Sequence, residues 1–388
     1  MNETSDFVVI GAGVMGASIA CHLAERRAGT VTVLEKAAVA SGASGRSSAL
    51  VRMHYTVREE VLLAVKSLEY FVEWRERLGR PGHFRKTGFV RIVPEGEIEN
   101  LRANVEMQRS CGANVELVTR EELQAIEPRW SLEDVALAAY EPDSGYGDGA
   151  TVATDFLDRA RELGARYRPS DLVLGLEVEG DRVRGVRTDS GLIESSRIIV
   201  AAGAWSDRLF RAAGVELPLD TEYHEVAILE RPAEIREPHI TCIDSILDIY
   251  FRSEGRTQTL VGDFYGPRGV DPDDFPERPS LDAMASKVEI LSKRIPAMEN
   301  AGIAGGVSGV YTMTPDYHGL MGEVAGIAGL YCCTGFSGMG FKISPAVGLV
   351  MSEILLDGRS KTVDISAFRP SRFDEGASIV APYPYADD

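Results

Sequence analysis

The chain has 388 residues, 44% apolar and 26% charged, which is length for two domains at roughly 150 residues each and a composition that excludes a largely disordered polymer. Its 41 basic against 59 acidic residues leave a net charge of −18, so phosphate backbones and anionic membrane surfaces are repelled and no nucleic-acid partner is expected. No run of about 18 apolar residues is present, so no membrane span is expected. Residues 1–6 are polar and acidic, unlike a secretory leader, and the five cysteines lack C-x-x-C spacing; both features predict a cytoplasmic protein without a disulfide framework or zinc site.

The first predicted element is a short β-branched strand, Phe7–Ile10, which ends at Gly11-Ala12-Gly13-Val14-Met15-Gly16 and is followed by a helix over residues 17–27. Gly11 permits the tight turn, Gly13 lets a pyrophosphate approach the backbone, and Gly16 lets helix and strand pack closely. The helix N-terminus then faces phosphate charge. A second strand, Val31–Leu34, ends at Glu35, roughly 20 residues beyond the turn, where a carboxylate accepts hydrogen bonds from adenosine ribose hydroxyls. The motif alone serves FAD and NAD equally. The next segment, Ser41-Gly42-Ala43-Ser44-Gly45-Arg46-Ser47-Ser48, is small and polar and reads as a loop wrapping a ligand, with N–H groups and hydroxyls for a pyrophosphate and ribityl chain and Arg46 near a phosphate.

Residues 57–78 have an amphipathic helical pattern, with Val61, Leu62, Val65, Leu68 and Phe71 on one side, and this face is read as packing. Ile198-Ile199-Val200-Ala201-Ala202-Gly203 reads as a strand running into glycine beside the dinucleotide. The turn-rich stretch 217–278 contains strand-like 225–229, 249–252 and 259–261, which suits an inserted sheet. Residues 280–295 predict a helix with Leu281, Met284, Val288 and Leu291 on its apolar side. Residues 330–342 repeat strand and glycine loop before a helix over 345–356.

Taken with Glu35-Lys36 and the Ser-Gly-Ala-Ser-Gly-Arg loop, two segments make the chain resemble the D-amino acid oxidase superfamily of flavoproteins, in its sarcosine oxidase and dimethylglycine dehydrogenase-like branch. They are Gly335-Phe336-Ser337-Gly338-Met339-Gly340-Phe341-Lys342 and Tyr311-Thr312-Met313-Thr314-Pro315-Asp316-Tyr317-His318. The resemblance implies an α/β fold with an α+β substrate part: a Rossmann-like FAD-binding domain (1–85, 140–215 and 300–388) under a mixed-sheet substrate domain (86–139 and 216–299). It implies cofactor contacts at Gly11, Ala12, Gly13, Val14, Met15, Gly16, Glu35, Lys36, Ala43, Ser44, Arg46, Ser47, Ser48, Val173, Ala202, Gly203, Gly338, Met339, Gly340, Phe341 and Lys342.

The implied activity is FAD-dependent oxidation of the C–N bond of an amino acid or N-methyl amino acid to an imine. Oxygen, an electron-carrier protein or a second subunit is the reaction's further partner. Arg52 matches the substrate arginine, and with Lys342 it is expected to hold a carboxylate, a fork beside a point charge. Tyr250 is expected to close the pocket from the roof, with Arg252 adding charge. His54 and Tyr55 flank Arg52, but on a strand they would point to opposite faces, so at most one is expected to join it. The chain also departs from the family pattern. Gly309 stands where covalently flavinylated sarcosine oxidases have cysteine, which implies noncovalent FAD, and Leu260 stands where they have a roof lysine.

Overall fold

The computed structural model describes residues 3–386. Phe7–Ile10 and Val31–Leu34 are buried at every position, as parallel strands covered on both faces must be. They lie in a six-stranded sheet ordered Arg166–Arg168, Val31–Leu34, Phe7–Ile10, Ile198–Val200, Leu330–Thr334, Leu320–Glu323, parallel throughout except for the last pair. The helix Val14–Glu25 packs against Gly149–Glu162 and Ser344–Asp357. Gly348 is needed there, because a Cβ would overlap Ser18. A four-stranded sheet that includes Arg182–Thr188 and Gly191–Glu194 covers the opposite face through Val183, Val186 and Ile193 against Val8, Ile10 and Ile198.

The second layer is an eight-stranded mixed sheet ordered Gly302–Met313, Asp220–Glu230, Gln258–Asp263, Ile249–Glu254, Thr241–Asp244, Phe89–Ile92, Leu137–Glu141, Glu116–Thr119. The three roof strands expected from sequence lie within Asp220–Glu230, Ile249–Glu254 and Gln258–Asp263. Gly302–Met313, on the flavin side of the expected boundary at 300, instead pairs along the whole of Asp220–Glu230 and belongs to this roof. Behind the roof, Val90, Phe251, Trp130 and Leu291 form a separate core with the helix Leu281–Arg294. Arg294 pins that helix, donating to Asp244 at 2.7 Å and to Asp134 at 2.7 Å. Removing one partner from such a buried pair costs about 3–5 kcal/mol. Leu281, expected on the apolar side, is 66% exposed at the helix start.

The expected helix over 57–78 is broken into Arg58–Val72 and Trp74–Leu78. Among the described residues no helix is long and apolar enough to cross a membrane. All five cysteines are unpaired and buried.

Candidate functional site

Two adjoining cavities lie between the layers. The larger, of about 630 Å³, runs from the glycine turn toward the roof; the smaller, of about 350 Å³, opens beside Arg52 and Lys342. Ser47, Tyr311, Ser337, Gly338 and Phe341 line both.

The larger cavity is cradled by backbone. A Cβ on Gly11, whose φ is +106°, would lie 2.9 Å from the Ala201 carbonyl carbon and nearer still to its oxygen. The helix Val14–Glu25 begins with no acidic residue in its first turn and no capping side chain on Gly13, so its positive end faces the cavity. Glu35 Oε1 accepts from Ala37 N (3.0 Å) and Ser41 Oγ (3.5 Å), while Oε2 accepts only from Ala12 N (2.9 Å), which leaves it a lone pair for a ribose hydroxyl. A volume of this size, a helix N-terminus and a buried carboxylate together fit a dinucleotide such as FAD.

Of the residues expected at the cofactor, Gly11, Gly13, Val14, Met15, Glu35, Lys36, Ala43, Ser44, Ser47, Val173, Ala202, Gly203, Gly338, Gly340 and Phe341 line this cavity. Ala12 and Gly16 stand behind it: Ala12 donates to Glu35, and a Cβ on Gly16 would overlap the Gly11 carbonyl. Ser48, Met339 and Lys342 face the smaller cavity instead. Arg46 lines neither. Its guanidinium donates to the Ser308 carbonyl (3.1 Å) and Glu277 (2.7 Å), tying the loop to the roof rather than to a phosphate. The loop itself is a short 3-10 turn, Ala43–Arg46, and Ser44 Oγ accepts from Val14 N at 3.0 Å. The Lys36 ammonium is paired with Asp273 at 2.7 Å and lies 3.6 Å from the Trp205 ring centroid. That hydrogen bond is the main reason the Asp273 carboxyl is lowered to about 2.

The smaller cavity brings Arg52, Lys342 and Tyr250 together. The strand Leu50–Val51 stops one residue short of Arg52, so residues 52–55 belong to no ladder, and His54 and Tyr55 both line the cavity beside it. The expectation that only one could do so fails for that reason. Arg52 lies 4.8 Å over the Tyr55 ring, and its Nε is buried without a hydrogen-bond partner. Lys342 Nζ lies 5.7 Å from the same ring centroid. Burial first, then the Arg52 charge, pushes the Lys342 ammonium well below its ordinary range. Arg252 is not in the cavity; it donates to the Ser48 and Ser253 carbonyls and lies over Tyr146. Leu260 lines neither cavity and is buried in the roof.

Several residues had no role in the sequence reading. His224 stacks on Tyr311 at 4.0 Å with Nε2 2.9 Å from Glu222, and Arg268 braces Glu222 from outside at 2.9 Å. Burial holds His224 below its ordinary value despite that carboxylate. Glu60, in the first turn of the helix Arg58–Val72, lines the cavity and bonds His318 Nδ1 at 3.0 Å. Burial opposes charge on His318, yet Glu60 lifts its pKa above the ordinary value. Glu141, just behind Arg52, accepts from Met53 N (2.8 Å) and Ser144 Oγ (2.5 Å), and burial pushes its carboxyl up to about 7. The Glu60–His318 bond and the stacking of His224 on Tyr311 join segments far apart in the chain, so no local pattern signals them, whereas Glu222 and His224 are two residues apart on one strand and share a face.

Comparison with known proteins agrees with this geometry. Residues 6–354 match the profile described as DAO, FAD dependent oxidoreductase. FAD-dependent oxidoreductase domain-containing protein 1 of Mus musculus is 28% identical, covering 97% of this chain and 86% of that protein. Sarcosine oxidase subunit beta of an Arthrobacter species is 24% identical, covering 97% of this chain and 93% of that subunit. Among solved structures, L-proline dehydrogenase from P. horikoshii aligns with a TM-score of 0.89 at 27% identity, over 97% of this chain and 99% of that one. A profile match over nearly the whole chain, on a fold whose glycine cradle suits the dinucleotide, makes this chain a member of the DAO family of FAD-dependent oxidoreductases.

Proposed function

We propose that this enzyme oxidises the C–N bond of a small amino acid bearing a secondary or N-methylated amine, with FAD in the larger cavity and substrate in the smaller. The observation that carries the reading is that Arg52 and Lys342 face one cavity and neither makes an ion pair among the described residues. Two cations so placed want an anion, and a carboxylate matches the guanidinium fork.

FAD, when bound, accepts the hydride equivalent from the substrate carbon. The chain's own contribution is orientation and electrostatics. The Arg52 fork and the Lys342 point charge fix the carboxylate, which sets the amine-bearing carbon relative to the neighbouring cavity. The same two charges disfavour a third cation, so they favour loss of the amine proton and presentation of a neutral nitrogen. Tyr250 closes the roof side, and Tyr55, whose hydroxyl donates to the Met339 carbonyl at 2.8 Å, walls the floor against water.

The names of relatives support this substrate class. They include L-proline dehydrogenase, sarcosine oxidase subunit beta, and 4-methylaminobutanoate oxidase of Paenarthrobacter nicotinovorans, of which the chain covers 45%. Noncovalent FAD is the expectation, because Gly309 stands where covalently flavinylated sarcosine oxidases carry cysteine. Flavin released entirely by acid precipitation is the expected result.

The deciding experiment is anaerobic bleaching of the flavin with sarcosine, dimethylglycine, proline and D- and L-amino acids, followed by air. Bleaching by an amino acid with a secondary amine is expected; no bleaching by any of them overturns the reading. Rapid recolouring identifies oxygen as acceptor, and persistent bleaching identifies an electron carrier. A second reading, that the chain works as the flavin-bearing subunit of a hetero-oligomer, is favoured by its coverage of 93% of a beta subunit. Turnover restored only by a co-purified second polypeptide would establish it.

A further inference from the structure

We propose that a polar face on the helix Ile98–Ser110 and the residue before it, buried at Asn104 and Gln108, fixes segment 379–386 as the outer wall of the substrate cavity, and that Tyr385 on that wall selects the amine by size. The inference rests on the reading that the smaller cavity takes the substrate.

Glu97, Asn100, Asn104 and Gln108 follow one another at helical spacing and so share one face. Each holds a cavity wall from behind. Asn104 Nδ2 donates to the Tyr383 carbonyl at 2.8 Å, Asn100 Nδ2 to the Pro384 carbonyl at 2.7 Å, and Glu97 Oε1 accepts from Ala386 N at 2.8 Å. Gln108 Nε2 donates to the Tyr55 carbonyl at 3.0 Å, in the segment that carries Arg52. Asn104 and Gln108 are fully buried, where an amide without partners costs about 1–3 kcal/mol. The partners they find are the main chains of two cavity walls, so the place of segment 379–386 is specified by the helix.

The other end of the segment is also tied: Ile379 N donates to Asp316 at 2.9 Å, and Asp316 is gripped by Arg372 at 2.7 and 2.8 Å. Between these anchors the segment faces inward with Tyr385, which is 4% exposed, while Val380 is 81% exposed. The Tyr385 hydroxyl meets His54 Nε2 at 2.9 Å, and their rings stack at 5.8 Å. The segment belongs to no β-ladder, so its side chains can change the outline of the cavity without disturbing a sheet.

The test uses holoenzymes of the wild type, Tyr385→Ala, Tyr385→Phe and Asn100→Ala. Acetate, propanoate and benzoate, which carry no amine to oxidise, are titrated against the flavin absorbance. Anaerobic reduction by sarcosine, proline and N-benzylglycine is then followed. Tyr385→Ala is expected to shift the ratio of dissociation constants toward benzoate, and the reduction rates toward N-benzylglycine, on the order of tenfold. Asn100→Ala shifts both in the same direction by less, and covers the case in which Tyr385→Ala does not fold. Tyr385→Phe keeps the wild-type order because it keeps the ring. An unchanged size order in Tyr385→Ala and Asn100→Ala, in a protein that still binds carboxylates and is reduced by amines, overturns this inference alone. A wild type that binds no carboxylate and is reduced by no amine overturns the substrate reading and this inference with it.

Discussion

Gly262 faces Tyr250 across neighbouring antiparallel strands of the roof, and a Cβ on Gly262 would lie 2.8 Å from Tyr250 Cε1 and closer still to its hydroxyl. The tyrosine reaches the smaller cavity by lying over a residue without a side chain. Gly262→Ala therefore has to displace the ring, because the neighbour in the way is the end of a side chain rather than backbone. The expected cost is about 1–3 kcal/mol of stability. Substrate affinity should fall with it while flavin content stays unchanged, since Gly262 lines neither cavity. Urea unfolding and substrate titration check both; flavin loss at full stability would contradict the placement of Tyr250.

Arg52→Ala removes the fork from the substrate cavity but touches nothing in the larger one. A hydrogen bond to a charged group contributes about 1.5–3 kcal/mol, so the substrate dissociation constant should rise by roughly ten- to more than a hundredfold. Flavin content should not change. Binding is read from anaerobic flavin reduction across substrate concentration. Flavin lost with unaltered substrate affinity would make Arg52 a cofactor ligand instead.

What could be read from the sequence divides by range. The glycine turn, Glu35 and the strands on either side were legible because their chemistry lies in one short stretch with a fixed spacing. The roof strands 225–229, 249–252 and 259–261 were legible from β-branched runs between turns. Gly302–Met313 was not: its four glycines weaken the strand pattern, and only its pairing with Asp220–Glu230 places it in the roof. The Glu60–His318 pair was hidden for a different reason. Glu60 lies outside the apolar set by which its helix was recognised, and His318 is 258 residues away in sequence. Arg46 misled because position in a phosphate-like loop says nothing of the acidic partner, Glu277, that folds against it.

Lys342 gives a proton-linked signature. Burial, and then Arg52, hold its pKa well below the ordinary value in the free protein, so the neutral amine forms at lower pH than on a free lysine. A bound carboxylate raises it again, because opposite charge favours the ammonium. Across a pH series, binding of propanoate should then be accompanied by proton uptake between the pKa of the free protein and that of the complex, and its affinity should fall over that same interval. Calorimetry in two buffers of different ionisation enthalpy measures the uptake. Lys342→Met should abolish it; equal uptake in variant and wild type would remove Lys342 from the carboxylate site.

Glu141 links the same region to stability. Burial pushes its carboxyl from an ordinary 4.5 up to about 7, while Oε2 accepts from Met53 N and Ser144 Oγ and the buried Oε1 has no partner. The folded state therefore binds this proton more tightly than the unfolded chain. Its contribution is fully present below about 4.5 and is lost as pH rises through about 7, a total on the order of 3 kcal/mol. Glu141→Gln cannot titrate. It is expected to be less stable than wild type at low pH, because its buried NH2 lacks an acceptor, but to show a flatter profile between the two values. Urea midpoints across that range measure the difference in slope. Parallel profiles would mean that the Arg52 charge keeps Glu141 ionised throughout, and the arginine would then face the substrate cavity already neutralised from behind.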